Sequence, residues 1–133
     1  MKLEIRNIDV AKVISFLENE NFKGLKSVMR SKVTNYLTKQ LQEIADGEKT
    51  IREDFKDNPE KLDKELKVYF NETVVLSGDN FVKPLNVIKE KVKELTSEEC
   101  EREFSGNDAY ALSVLYEAFE LGGEDEWLSK SQM

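Results

Sequence analysis

The sequence predicts a mainly α, α+β fold: about five amphipathic helices around one core, with a minor two-stranded β-element. Three observations carry that expectation. Apolar residues recur at i, i+3, i+4, i+7 through most of the chain. Two short segments, Lys2 to Ile5 and Thr73 to Ser77, have strand-like composition or alternation instead. Turn and breaker residues separate the helical runs at intervals that suit a bundle.

"KLEI" alternates and reads as a strand. Asn7 or Asp9 is then placed to cap a first helix whose Val10, Val13, Ile14 and Leu17 share one face. "NENFKG" breaks it. Leu25, Val28, Met29, Val33, Tyr36, Leu37, Leu41 and Ile44 mark a second amphipathic helix, about five to six turns long, that Gly47 ends or weakens. Asn58 and Pro59 suit the N-cap and first position of a short, highly charged third helix. "KVYFNETVVLS" admits two readings: strand from Val68 onward, or a helix ending near Phe70 followed by a strand at 73 to 77 that pairs with "KLEI". Phe81, Leu85, Ile88, Val92 and Leu95 define a fourth helix with Pro84 in its first turn. The fifth carries Ala111, Leu112, Leu115, Ala118 and Phe119 on one stripe, with Ser105 or Asn107 as cap and Gly122-Gly123 as stop.

At 133 residues the chain fits a single domain, 1–133, that buries roughly two-thirds of its unfolded surface. A frayed tail is expected at 128–133, or Trp127 docks back onto the core. No run of apolar residues approaches the ~18 needed to span a bilayer, and "MKLEIRNIDV" lacks the apolar stretch of a signal peptide. Together with the lone Cys100, this gives the expectation of a soluble, cytoplasmic protein with no membrane contact and no disulfide.

Histidine is absent, which removes Ser-His-Asp and Cys-His catalysis and the His-based zinc motifs. The six glycines form no phosphate-binding loop, so no cofactor is expected. Asp63-x-Glu65-x-Lys67 has the acid-x-Lys step of some metal-dependent nucleases, but so does any solvated helix rich in Glu and Lys, and the second reading is preferred. The protein is expected not to be an enzyme.

Charge is the main remaining signal. The net charge of −7 opposes nucleic acid and anionic lipid. Within it, residues 21 to 42 hold Lys23, Lys26, Arg30, Lys32 and Lys39 with no acid, while 96 to 126 hold ten acids and only Arg102. The preferred reading pairs Lys26 or Arg30 with Glu98, Glu101, Glu103 or Asp108 inside the molecule. The other makes Lys23, Lys26 and Arg30 a face for a protein partner, with Ser105 and Gly106 as a second candidate contact because a Ser-Gly loop admits a close neighbouring backbone.

The opening "MKLEIRNIDVAKVISFLENENFKGLKSVMRSKVTNYL" has Asn-x-Asp, Phe-Leu and a Lys-Gly-x-x-Ser-x-x-Arg-Ser pattern. It resembles small proteins encoded by phages and prophages of Gram-positive bacteria, as does "FSGNDAYALSVLYEAFE" with its Phe-Ser-Gly-x-x-Ala start and terminal Phe-Glu. Residues 46 to 95 show no such likeness. That group is a family of unknown function, so the resemblance implies an origin and supplies no catalytic residues. The expected function is a non-enzymatic phage or prophage accessory protein that binds another protein, including a host factor, either directly or as an acidic nucleic-acid mimic. Two alternatives are a virion or assembly component at a tail or head-tail junction and, further behind, a metal-dependent nuclease.

Overall fold

The computed structural model describes residues 1–122, so the expectations for Trp127 and the 128–133 tail lie outside the described residues. In order come β1 (Lys2–Arg6), a 3-10 turn at Asn7–Asp9, α1 (Val10–Glu18), α2 (Leu25–Asp54), α3 (Pro59–Asn71), β2 (Thr73–Ser77), a second 3-10 turn at Asp79–Phe81, α4 (Val82–Thr96) and α5 (Gly106–Ala118). The fold is mainly α with a small antiparallel sheet, as the periodicity predicts. β1 and β2 pair with Leu3 opposite Leu76 and Ile5 opposite Val74. These four point inward onto the helices, while Lys2, Glu4 and Arg6 point outward.

The core is built from the expected stripes of α1, α4 and α5, closed by Val33, Leu37 and Ile44 of α2. The two readings of "KVYFNETVVLS" resolve to the second: Val68, Tyr69 and Phe70 belong to α3, and the strand begins at Thr73. Asn58 caps α3 as expected, its side chain accepting from the Lys61 N–H at 3.2 Å, with Pro59 in the first position.

Four local expectations are corrected. α2 runs for 30 residues, through Gly47, because Tyr69 of α3 packs there: a Cβ at Gly47 would fall on the Tyr69 phenol, which donates to the Ile44 carbonyl at 3.1 Å. Glycine is the residue that lets α3 approach, and tertiary contact outweighs its poor helix propensity.

Leu25 and Val28, assigned to the buried stripe of α2, are instead 69% and 51% exposed. At about 100° per residue, Val28 lies roughly 140° around the helix from Val33, whereas Arg30 lies within roughly 60° of it. Arg30, not Val28, continues the core-facing side.

Neither Asn7 nor Asp9 caps α1 through its side chain. Asn7 donates to the Tyr69 carbonyl at 2.9 Å, and Asp9 accepts from Arg6 and Tyr110. These bonds tie β1 to α3 and α5.

α5 ends before Gly122-Gly123. Glu120 adopts φ +58, with Glu120 N–H bonded to the Glu117 carbonyl and Leu121 N–H to the Tyr116 carbonyl, the two bonds of a Schellman stop. Gly122 serves a different purpose, since a Cβ there would meet the Tyr116 ring.

Candidate functional site

The link between α1 and α2, residues 19 to 24, lies beside the outer face of α4. α4 runs back along α2: Phe81 at its start meets Tyr36 edge-on at 5.1 Å, and Lys91, more than two turns later, meets Phe22. Between the link and α4 lies an open cleft of about 560 Å³. Phe22 and Val87 supply its apolar surface, and Lys23, Lys26 and Lys91 stand around them with Asn21, Asn86, Glu90 and Glu94. Two cations meet the Phe22 ring, with the Arg30 guanidinium 5.2 Å and the Lys91 ammonium 5.1 Å from its centroid.

The charges around the cleft are unevenly satisfied. Glu94 pairs with Lys91 at 3.0 Å, and Glu90 with Lys93 at 3.6 Å. Lys23 and Lys26 have no acidic partner among the described residues. The two acids are thus partly neutralised by their own helix, which leaves the link side of the cleft positive.

Of the residues singled out in the sequence, Lys23 and Lys26 line this cleft and Arg30 does not. Arg30 reaches under the link to donate to the carbonyls of Leu17 at 2.8 Å and Glu20 at 3.1 Å. It closes the C-terminal end of α1, a role suited to a cation at the negative pole of a helix. Ser105 and Gly106 lie at the start of α5, away from the cleft lining. The Ser105 side chain makes no capping bond. Gly106 has φ +57, and a Cβ there would meet nothing within 4 Å, so glycine serves the backbone turn and not a close neighbour.

The expected pairing of Lys26 or Arg30 with Glu98, Glu101, Glu103 or Asp108 does not form. The acidic stretch is tied instead to the link that precedes the basic helix. Glu20, in the link after α1, is buried and accepts from both terminal nitrogens of Arg102, the one cation of the acidic stretch, at 2.8 and 3.0 Å. That pairing raises the Arg102 pKa above its ordinary value, chiefly through the hydrogen bonds. Glu98, Glu99, Glu101, Glu103 and Asp108 are all exposed, which suits an outward acidic surface.

Asp63 and Lys67 pair at 3.2 Å across one turn of α3, and Glu65, two residues from each, lies about 200° around the helix, so the three do not converge. Sequence reasoning missed Phe22, Val87 and Lys91. By pattern "NENFKG" reads only as a break, although an aromatic residue beside a lysine in an otherwise polar link is itself a signal. No family model, curated protein or solved structure matches the chain.

Proposed function

We propose that this chain is a non-enzymatic accessory protein, of the phage or prophage type its two ends resemble, that grips an acidic, partly apolar segment of a partner protein in the Phe22 cleft. The supporting observation is the combination at one place of Lys23 and Lys26, unpaired among the described residues, with the apolar surface of Phe22 and Val87. An apolar side chain entering the cleft would gain burial, while carboxylates beside it would meet the two lysines. The overall charge of −7 makes a long polyanion a poor occupant, whereas a short acidic peptide needs only the local field.

The test is a titration of the isotope-labelled protein with short peptides of mixed Glu and Leu or Phe, followed by amide chemical shifts. Perturbations should centre on residues 21 to 26 and 86 to 91, weaken as salt rises, and disappear in Lys23→Glu/Lys26→Glu. Shifts elsewhere, or none across the peptide series, would reject this assignment.

A second reading, a virion or assembly component, draws support from Leu25 and Val28, which lie one turn apart and exposed on the first turns of α2. Such a component would be found by mass spectrometry in purified particles.

A further inference from the structure

Among the described residues, β1 has a free edge whose chemistry fits a second copy of itself. The Asn7 N–H donates to the Glu72 carbonyl at 2.7 Å, so by antiparallel alternation Ile5 and Leu3 also direct their main-chain groups at β2. Lys2, Glu4 and Arg6 therefore direct theirs away from it. The far side of β2 follows the same parity and is occupied at Val75, whose carbonyl accepts from the Tyr36 hydroxyl at 3.4 Å. The outward main-chain groups of Lys2 and Glu4 have no hydrogen-bond partner among the described residues, while the Arg6 carbonyl opens the 3-10 turn at Asn7–Asp9. Beside them lies an open cleft of about 670 Å³, running from Lys2 and Glu4 to Glu117, Ala118 and Phe119 at the end of α5. A sheet of two short strands is marginal by itself and gains from extension.

We propose that two copies of the chain pair β1 against β1 in antiparallel sense, about a two-fold axis at Leu3, to make one four-stranded sheet. The charges select that register. With the axis at Leu3, each Lys2 stands opposite the partner subunit's Glu4, so both outward positions meet an opposite charge. An axis at Glu4 would oppose Glu4 to Glu4 and Lys2 to Arg6, which is repulsive at every outward position. An axis at Ile5 would oppose Glu4 to Arg6, but the Arg6 guanidinium is already bonded to Asp9, Asn71 and Tyr110. Lys2 and Glu4 are largely exposed and, among the described residues, bonded only to each other, at 3.1 Å, so they can exchange partners across the axis at little cost. The interface is isologous and closes on itself.

Sedimentation equilibrium over a range of concentrations tests this with four chains: wild type, Lys2→Glu, Glu4→Lys and the exchanged Lys2→Glu/Glu4→Lys. The wild type should dimerise. Each single reversal should weaken the dimer about tenfold or more, since two attractive pairs become repulsive. The exchange should restore it. Glu4→Pro, which removes an outward N–H while sparing the bonds to β2, should be a folded monomer whose melting temperature no longer depends on protein concentration. The proposal is overturned by a wild type that stays monomeric, by a dimer equally strong in all four chains, or by an exchange that fails to restore pairing. Lys23→Glu/Lys26→Glu should dimerise like the wild type, which separates this edge from the Phe22 cleft.

Discussion

Tyr110 donates a 2.5 Å hydrogen bond to Asp9, a carboxylate buried at the junction of β1 and α1. Arg6 completes the cluster through Nε to Asp9 at 3.2 Å, Nη2 to the Tyr110 hydroxyl at 3.2 Å and Nη1 to Asn71 at 3.0 Å. A buried carboxylate needs such partners, because leaving one unmet costs more than the bond contributes when made. Tyr110→Phe is therefore expected to destabilise by about 1 to 2 kcal/mol, toward the low end because Tyr110 is partly exposed, as read from urea denaturation.

The same bond gives an alkaline limit. The Tyr110 phenol is raised above its ordinary 10.0, first by the hydrogen bond to Asp9 and then by burial, and Tyr69 is raised chiefly by burial. A folded-state value above the unfolded one means the contribution is whole below the ordinary tyrosine range. It is lost as pH rises through the folded value. Stability should fall above about pH 10, and less steeply in Tyr110→Phe; an identical alkaline profile in the two proteins would contradict the assignment.

Gly47 and Tyr69 should show opposite effects in two backgrounds. Alanine is the better helix former by about 1 kcal/mol, but here its Cβ would collide with the phenol ring of Tyr69, whose Cζ would lie 2.7 Å away. Gly47→Ala should destabilise the wild type by about 1 to 3 kcal/mol and stabilise a Tyr69→Ala background, a sign change that a double-mutant cycle measures directly.

Periodicity made the helices legible where one face is buried along its whole length, as in α4 from Leu85 to Leu95. It misled in α2, where Leu25 and Val28 are apolar but off the buried side, and Arg30 is charged but on it. A pattern scores residue type and cannot see that a guanidinium serves as a cap. Glu20 and Arg102 were illegible for a similar reason: their pairing spans most of the chain and depends on a tertiary fold that local charge counts do not contain. Lys23 and Lys26 stand out in the sequence by charge, whereas Phe22 joins them as a contact only because α4 lies alongside the link.

Glu120 occupies the left-handed position where helices most often place glycine. A side chain there costs roughly 1 kcal/mol, so Glu120→Gly should raise stability by up to about that amount, less the added freedom of the unfolded chain. A loss of stability would mean that the Glu120 side chain contributes more than the strain it imposes.

Leu115 is fully buried in the last helix. Leu115→Ala should cost about 2 to 5 kcal/mol through lost contacts and the cavity left behind, with a change under about 1 kcal/mol contradicting that placement.

Arg30 and Lys26, four residues apart on one helix, should separate stability from binding. Arg30 donates to the carbonyls of Leu17 in α1 and Glu20 in the link and lies over Phe22, although its buried Nε has no partner among the described residues and so offsets part of the gain. Arg30→Ala should destabilise by about 1 to 3 kcal/mol, and because the acceptors are neutral carbonyls, added salt should change that loss little. Lys26 is exposed on the cleft rim with no acidic partner among the described residues, so Lys26→Ala should stay within about 0.5 kcal/mol of the wild type. In peptide titrations the order should invert for salt dependence, with Lys26→Ala lowering the salt sensitivity of binding at unchanged melting temperature. If Arg30→Ala left the melting temperature unchanged, the α1 closure would be a minor contact, and Arg30 would rejoin Lys23 and Lys26 as a candidate binding cation.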